Sequence, residues 1–186
     1  MSVERIQQHF RDSAAVGLEA LDALAMPIAA AIDAMFAALA NGGKILACGN
    51  GGSAVEAQRF AQGLVGGFER ERPGLPALAL PATADDFPDQ VFAKQVRALG
   101  QPGDVLFAIT ASGNPASLIA AIDAAHEREM IVVALTGSED ETGAALADTD
   151  IHIGVPSTRA ARVYEVHLLT IHCLCDGIDA MLLGDD

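Results

Sequence analysis

Two short runs of small and hydroxyl-bearing residues carry the clearest chemistry in this chain. Gly49-Asn50-Gly51-Gly52-Ser53 and Thr110-Ala111-Ser112-Gly113-Asn114 each follow an apolar run and precede a helical pattern. Glycines let a backbone turn tightly and let a ligand come close. The start of the next helix offers unpaired N–H groups and the positive end of its dipole. Asn50, Gly51, Gly52 and Ser53 in the first run, and Thr110, Ser112 and Asn114 in the second, are therefore candidate phosphate ligands. Neither run contains Lys or Arg, so capture would rest on neutral hydrogen bonds. The plainer alternative is a pair of strand-to-helix turns whose hydroxyls cap helices. Gly49, Gly51 and Ala54 also satisfy the dinucleotide pattern G-x-G-x-x-A. That pattern wants an acid at the end of the next strand, where Leu80 is followed here by Pro81-Ala82-Thr83-Ala84. A Gly-Lys-Ser/Thr phosphate loop is absent, which argues against an NTPase.

The elements around these runs alternate. Residues 4–25 predict a helix with Ile6, Phe10, Val16, Leu21 and Leu24 at helical spacing. Pro27 predicts a break, and a second helix follows through Ala40 on the stripe Ile28, Ile32, Met35, Phe36 and Leu39. Strands are predicted at Ile45–Cys48, Pro76–Leu80, Val105–Ile109, Met130–Leu135 and near 150–154. Helices are predicted over 53–65 and 88–99, from Pro115, over about 141–147, and from about Arg159 to Met181. The alternation predicts a single α/β domain over 1–186: a doubly wound, mostly parallel five-stranded sheet with helices on both faces. Its core is 44–186, and the apolar helices of 1–41 suggest subunit packing.

The composition excludes several classes. A formal charge of −14, from 11 Lys and Arg against 25 Asp and Glu, repels nucleic acid and anionic membranes. Only 4% of the residues are aromatic and none is Trp, as suits Ala-rich helices packed on a parallel sheet. Cys48, Cys173 and Cys175 form no disulfide framework and read as reduced, buried thiols. No apolar stretch long enough to span a membrane is expected, nor a leader sequence, so the expected location is cytoplasmic.

Cys48-Gly49-Asn50-Gly51-Gly52-Ser53-Ala54, Glu71-Arg72-Pro73-Gly74-Leu75-Pro76-Ala77 and Ser112-Gly113-Asn114 resemble the sugar isomerase (SIS) domain, in its phosphoheptose isomerase branch. The resemblance covers nearly the whole chain. It implies a flavodoxin-like SIS fold, a homotetramer and a phosphorylated sugar as ligand. Within the branch, Lys94-Gln95-Val96-Arg97-Ala98-Leu99-Gly100 and Cys173-Leu174-Cys175-Asp176-Gly177-Ile178-Asp179 resemble the non-catalytic DiaA type. That likeness implies a tetrameric scaffold for the replication initiator DnaA, with Leu182 and Leu183 as an exposed apolar partner contact. The alternative is an active isomerase of sedoheptulose 7-phosphate.

The resemblance also implies where catalytic groups would stand. Family isomerases carry a His and a Glu four residues apart on the first core helix, and a Gln and a His eight apart on the last. Here those positions are Arg59, Gly63, Tyr164 and His172. The family zinc site is thus expected to be lost, with no cofactor, and His172 remains the one candidate catalytic residue. The favoured reading makes it a buried or partly buried helix histidine. Glu165, seven residues before it, shares its helix face and could pair with it, in a structural more than a catalytic role. His167 lies about 140° away round the helix, so the two His cannot share a metal. Arg59 is a candidate to replace the metal's charge. The second loop has lost a hydroxyl at Ala111, and Pro115 takes both a hydroxyl and an N–H; Ser117 could compensate in part. An insertion carrying an Asn-Asp pair is missing between Pro81 and Pro88, where Asp85-Asp86 are a weak substitute. The expectation is therefore a phosphosugar binder that does not catalyse.

Overall fold

The structure is a computed structural model that describes residues 2–82, 88–111, 116–138 and 141–184. Five strands, β1 (Ile45–Gly49), β2 (Ala77–Ala79), β3 (Val105–Ile109), β4 (Ile131–Thr136) and β5 (Ile151–Gly154), form one sheet in the order β2-β1-β3-β4-β5. Every neighbouring pair is parallel, the flavodoxin-like order expected. The helices are α1 (Val3–Ala40), α2 (Gly52–Gly66), α3 (Val91–Leu99), α4 (Ala116–Glu127) and α5 (Ala160–Leu183).

Side chains alternate across a strand, and here both faces are covered. Ile45, Ala47, Val105, Phe107, Ile109, Val133 and Leu135 point into a core shared with α1, α2 and α5. Leu46, Cys48, Leu106, Ala108 and Val132 point into a second core shared with α3 and α4. Because both faces are buried, β1 and β3 are apolar without interruption. Phe60 of α2 meets Phe107 edge-on, with centroids 4.7 Å apart.

Several boundaries differ from expectation. Residues 3–40 form one helix, not two, with Pro27 inside it. Proline removes the hydrogen bond to the carbonyl four residues back, which belongs to Ala23. Ala23 is exposed, so water can take that bond. Packing of both halves holds the helix together: Leu24, Ala31 and Met35 are buried on either side of Pro27. The segments at 88–90 and 141–145 are 3-10 turns. Helices α1 and α5 are both long and apolar enough to cross a membrane by length and composition, contrary to the sequence expectation. Their apolar character comes largely from Ala and Leu. In α5 it is used to pack Val163, Ile171, Leu174 and Ile178 into the core. Along α1, Val3, Ile6, Phe10, Leu18, Leu21 and Met26 are exposed.

Candidate functional site

The first loop is built by close approach. A Cβ on Gly49 would lie 2.8 Å from the Ile109 carbonyl oxygen and 2.8 Å from Ser53, so only glycine lets β1 end this near β3 and α2. Gly51 caps α2 at φ 55°, ψ −120°, without a side-chain cap bond; this is backbone that glycine tolerates and other residues do not. The Ser53 N–H donates to Asn50 O (3.0 Å) and the Ala54 N–H to Gly51 O (3.2 Å). Among the described residues the Gly51 and Gly52 N–H groups have no backbone acceptor, and they stand at the positive end of a helix of 15 residues.

The predicted ligands are not all equivalent. The Asn50 amide donates to Ser117 Oγ at 2.8 Å, so this side chain braces the loop against the first turn of α4. Ser117 therefore supports the first loop; residues 112–115 of the second, which it was expected to supplement, lie outside the described residues. Ser53 is 1% exposed and its Oγ has no partner among the described residues. Thr110 is buried, with its N–H extending the β3–β4 ladder to Leu135 O at 2.9 Å. Ser112, Asn114 and Pro115 lie outside the described residues, as do Asp85 and Asp86.

Two contributions were invisible in the sequence. A Cβ on Gly52 would lie 2.7 Å from the Tyr164 hydroxyl oxygen, so the chain's one tyrosine stands over the first turn of α2. One turn further along both helices, Glu56 Oε2 and His167 Nδ1 are 3.2 Å apart in the interior. His167 Nε2 lies 3.3 Å from the Thr136 carbonyl oxygen. These contacts depend on how α5 lies against α2, which no local spacing reveals.

The later part of α2 forms an open pocket of about 280 Å³ with α5, lined by Arg59, Gln62, Gly63, Gly67, Phe68, Ile171, His172 and Cys175. His172 is half-buried, its ring tilted over Phe68 with centroids 5.1 Å apart. This half-buried helix position agrees with the reading of a buried or partly buried histidine, and the ring also lines the pocket. The expected Glu165–His172 pair does not form. Glu165 instead accepts from Arg162 at 2.5 Å, three residues away and in reach over one turn. Arg59 is exposed and stands on the wall of this pocket.

The cysteines differ from one another. Cys48 and Cys175 are buried as expected, but Cys173 is exposed. Burial pushes the Cys48 and Cys175 thiols up to about 12. Both are neutral at physiological pH, and neutral thiols are poor nucleophiles and poor metal ligands. Leu182 and Leu183 sit exposed in the last turn of α5. They are not among the residues lining the pocket.

The residues at the positions where the resemblance implies zinc ligands do not fit a metal ion. Arg59 is a cation, and Gly63 has no side chain. A Cβ at Gly63 would lie 2.8 Å from Cys175 Sγ, so the neutral thiol leaves little room for a larger side chain there. Among the described residues no group of three or more His, Cys, Asp or Glu is arranged to hold a metal.

The comparisons with known proteins fit this architecture. A family profile described as SIS domain matches residues 8–137. The chain is 58% identical to a phosphoheptose isomerase of Aromatoleum aromaticum, over 98% of its own length and 96% of the relative's. The chain belongs to the SIS-domain phosphoheptose isomerase family. Among solved structures it is similar to phosphoheptose isomerase GmhA of Neisseria gonorrhoeae, with 47% identity, TM-score 0.87 and coverage of 95% and 98% of the two chains. The phosphoheptose isomerase of Francisella tularensis gives 43% identity, TM-score 0.89 and coverage of 96% and 98%.

These relatives overturn two expectations. The short runs likened to the DiaA type are outweighed by similarity along the whole chain to proteins named as isomerases. The DnaA scaffold reading is therefore withdrawn, and with it the leaning toward a protein without enzyme activity. Exchanges at three catalytic positions were a local signal; the overall likeness points to the alternative, the isomerase.

Proposed function

We propose that the protein is a phosphoheptose isomerase, interconverting sedoheptulose 7-phosphate and its aldose isomer. The observation that carries this reading is the 58% identity, over nearly all of both chains, with a protein of that name. The geometry supports it. Gly52 and Arg59 are seven residues apart, so they share a helix face about 10 Å apart along the axis. An extended seven-carbon sugar with a terminal phosphate covers a similar span. Its phosphate would bind the Gly51 and Gly52 N–H groups with the Ser53 hydroxyl, near Thr110; the other candidates, Ser112 and Asn114, lie outside the described residues. Its carbonyl end would then lie in the pocket with His172.

Aldose–ketose isomerisation moves one proton between adjacent carbons, which needs a positioned base. In this reading His172 is that group. The active unit is a homotetramer, in which the exposed apolar residues of α1 pack between subunits. The test is proton NMR of sedoheptulose 7-phosphate incubated with the purified protein. Appearance of the aldose anomeric signal is expected, and His172→Asn should slow it by about 10²–10⁴-fold. No turnover by the native protein would refute the reading.

A further inference from the structure

The pocket beside His172 holds a guanidinium and no carboxylate. Its polar side chains are Arg59, Gln62 and His172, alongside the Cys175 thiol, which is neutral at physiological pH. Arg59 makes no hydrogen bond or ion pair among the described residues. In a chain of net charge −14, an arginine that faces a pocket without an acid beside it is an uncommitted positive charge. Such a set of groups attracts an anion and repels a metal cation. A guanidinium fork also suits two adjacent oxygens, which it can hold by parallel hydrogen bonds.

The intermediate of a proton-transfer isomerisation has that shape. When C1 of the ketose gives its proton to a ring nitrogen of His172, the C–H electron pair becomes the C1=C2 bond. The carbonyl π pair moves onto O2. The resulting enediolate carries O1 and O2 side by side, with one negative charge. Transfer of the O1 proton to O2, and return of the His172 proton to C2 as the C1=O bond forms, gives the aldose. No oxidant or external proton is used. We propose that Arg59 is the oxyanion-binding catalytic residue of this pocket and that it works in place of a metal ion. The proposal rests on the isomerase reading above for its reaction, and on the pocket for its chemistry.

The experiment compares native protein, Arg59→Ala, Arg59→Lys and a remote charge control, Arg5→Gln. All are stripped with EDTA and checked for folding by circular dichroism. Turnover of sedoheptulose 7-phosphate is measured with EDTA and with added zinc. Calorimetry measures binding of a phosphorylated hydroxamate, whose adjacent oxygens mimic the enediolate. Native turnover should change less than about twofold between EDTA and zinc. Arg59→Ala should lose about 100-fold in kcat, the scale of a lost oxyanion donor, and hydroxamate affinity should fall in parallel. Arg59→Lys should be intermediate, and Arg5→Gln should match the native protein. Activity abolished by EDTA and restored by zinc would overturn the proposal, as would an Arg59→Ala protein as active as the native one. If the native protein shows no turnover, the isomerase reading fails on its own and the hydroxamate decides. Binding that Arg59→Ala weakens would support an anion pocket; equal binding, or none, would overturn it.

Discussion

At its first turn α2 presents backbone groups at its surface; two turns later the same face presents side chains. The first region is complete: Gly49 and Gly51 hold the chain in positions other residues cannot take. The second region differs from the family pattern at Arg59 and Gly63. Yet both regions meet α5 in the same manner. Gly52 abuts Tyr164 and Gly63 abuts Cys175, and each pair of positions is eleven residues apart. The two helices thus run side by side with glycines at both crossing points, which brings them close. In the proposed reading, a phosphate site made of N–H groups would survive changes in side chains. The proposed reacting end would have no such protection, so its chemistry is open to revision.

The sharpest way to break the first region is Gly49→Ala. The atoms its Cβ would meet belong to the backbone of Ile109 and to Ser53, and neither can rotate away. The expected loss is about 3 kcal/mol in urea denaturation, the upper part of the usual overpacking range. Phosphate binding should be lost with it. A native-like midpoint would mean that β1 and β3 are less tightly held than the structure indicates.

The second region should yield more readily. Gly63→Ala sets a methyl against Cys175 Sγ alone, so a cost of about 1–2 kcal/mol is expected. Combining it with Cys175→Ala should recover part of that cost, because the two positions compete for one space. Additive losses in the double variant would show that they do not. Gly63→Glu with Cys175→Ala extends the comparison. It should fold better than Gly63→Glu alone, as read by thermal melting.

The sequence revealed the sheet better than the site. Parallel strands buried on both faces give unbroken apolar runs such as Ile45–Cys48 and Val105–Ile109, and each was placed to within a residue or two. Pro27 misled because a proline speaks only for its own hydrogen bond, while packing on both sides of it holds α1 together. The loop Gly49–Ser53 was legible because glycine types report backbone geometry directly. Tyr164 over Gly52 was not, since it depends on the register between α2 and α5. The Glu56–His167 contact joins residues 111 apart and leaves no local trace. The Glu165–His172 pairing failed for a local reason: Arg162 lies nearer to Glu165 and carries a permanent charge.

The smallest effect distinguishes the two regions by pH. Cys48 directly precedes the first loop, and Cys175 lines the pocket. Both thiols are raised by burial from an ordinary 9.0 to about 12. Above pH 9 the unfolded chain releases these protons while the folded chain keeps them. The unfolded state then binds fewer protons, so stability falls as pH rises from 9 toward 12 and is unaffected below 9. Urea midpoints taken between pH 8 and 10.5 should decline, and Cys48→Ala or Cys175→Ala should each flatten the slope by one thiol's share. Cys175 also faces an open pocket, so an anion bound at Arg59 should slow its modification by an alkylating reagent at pH 9. Cys48 is not among the residues lining that pocket, and its labelling should follow global unfolding alone. Equal labelling of the two thiols, with and without the phosphorylated hydroxamate, would show that the pocket does not take the anion.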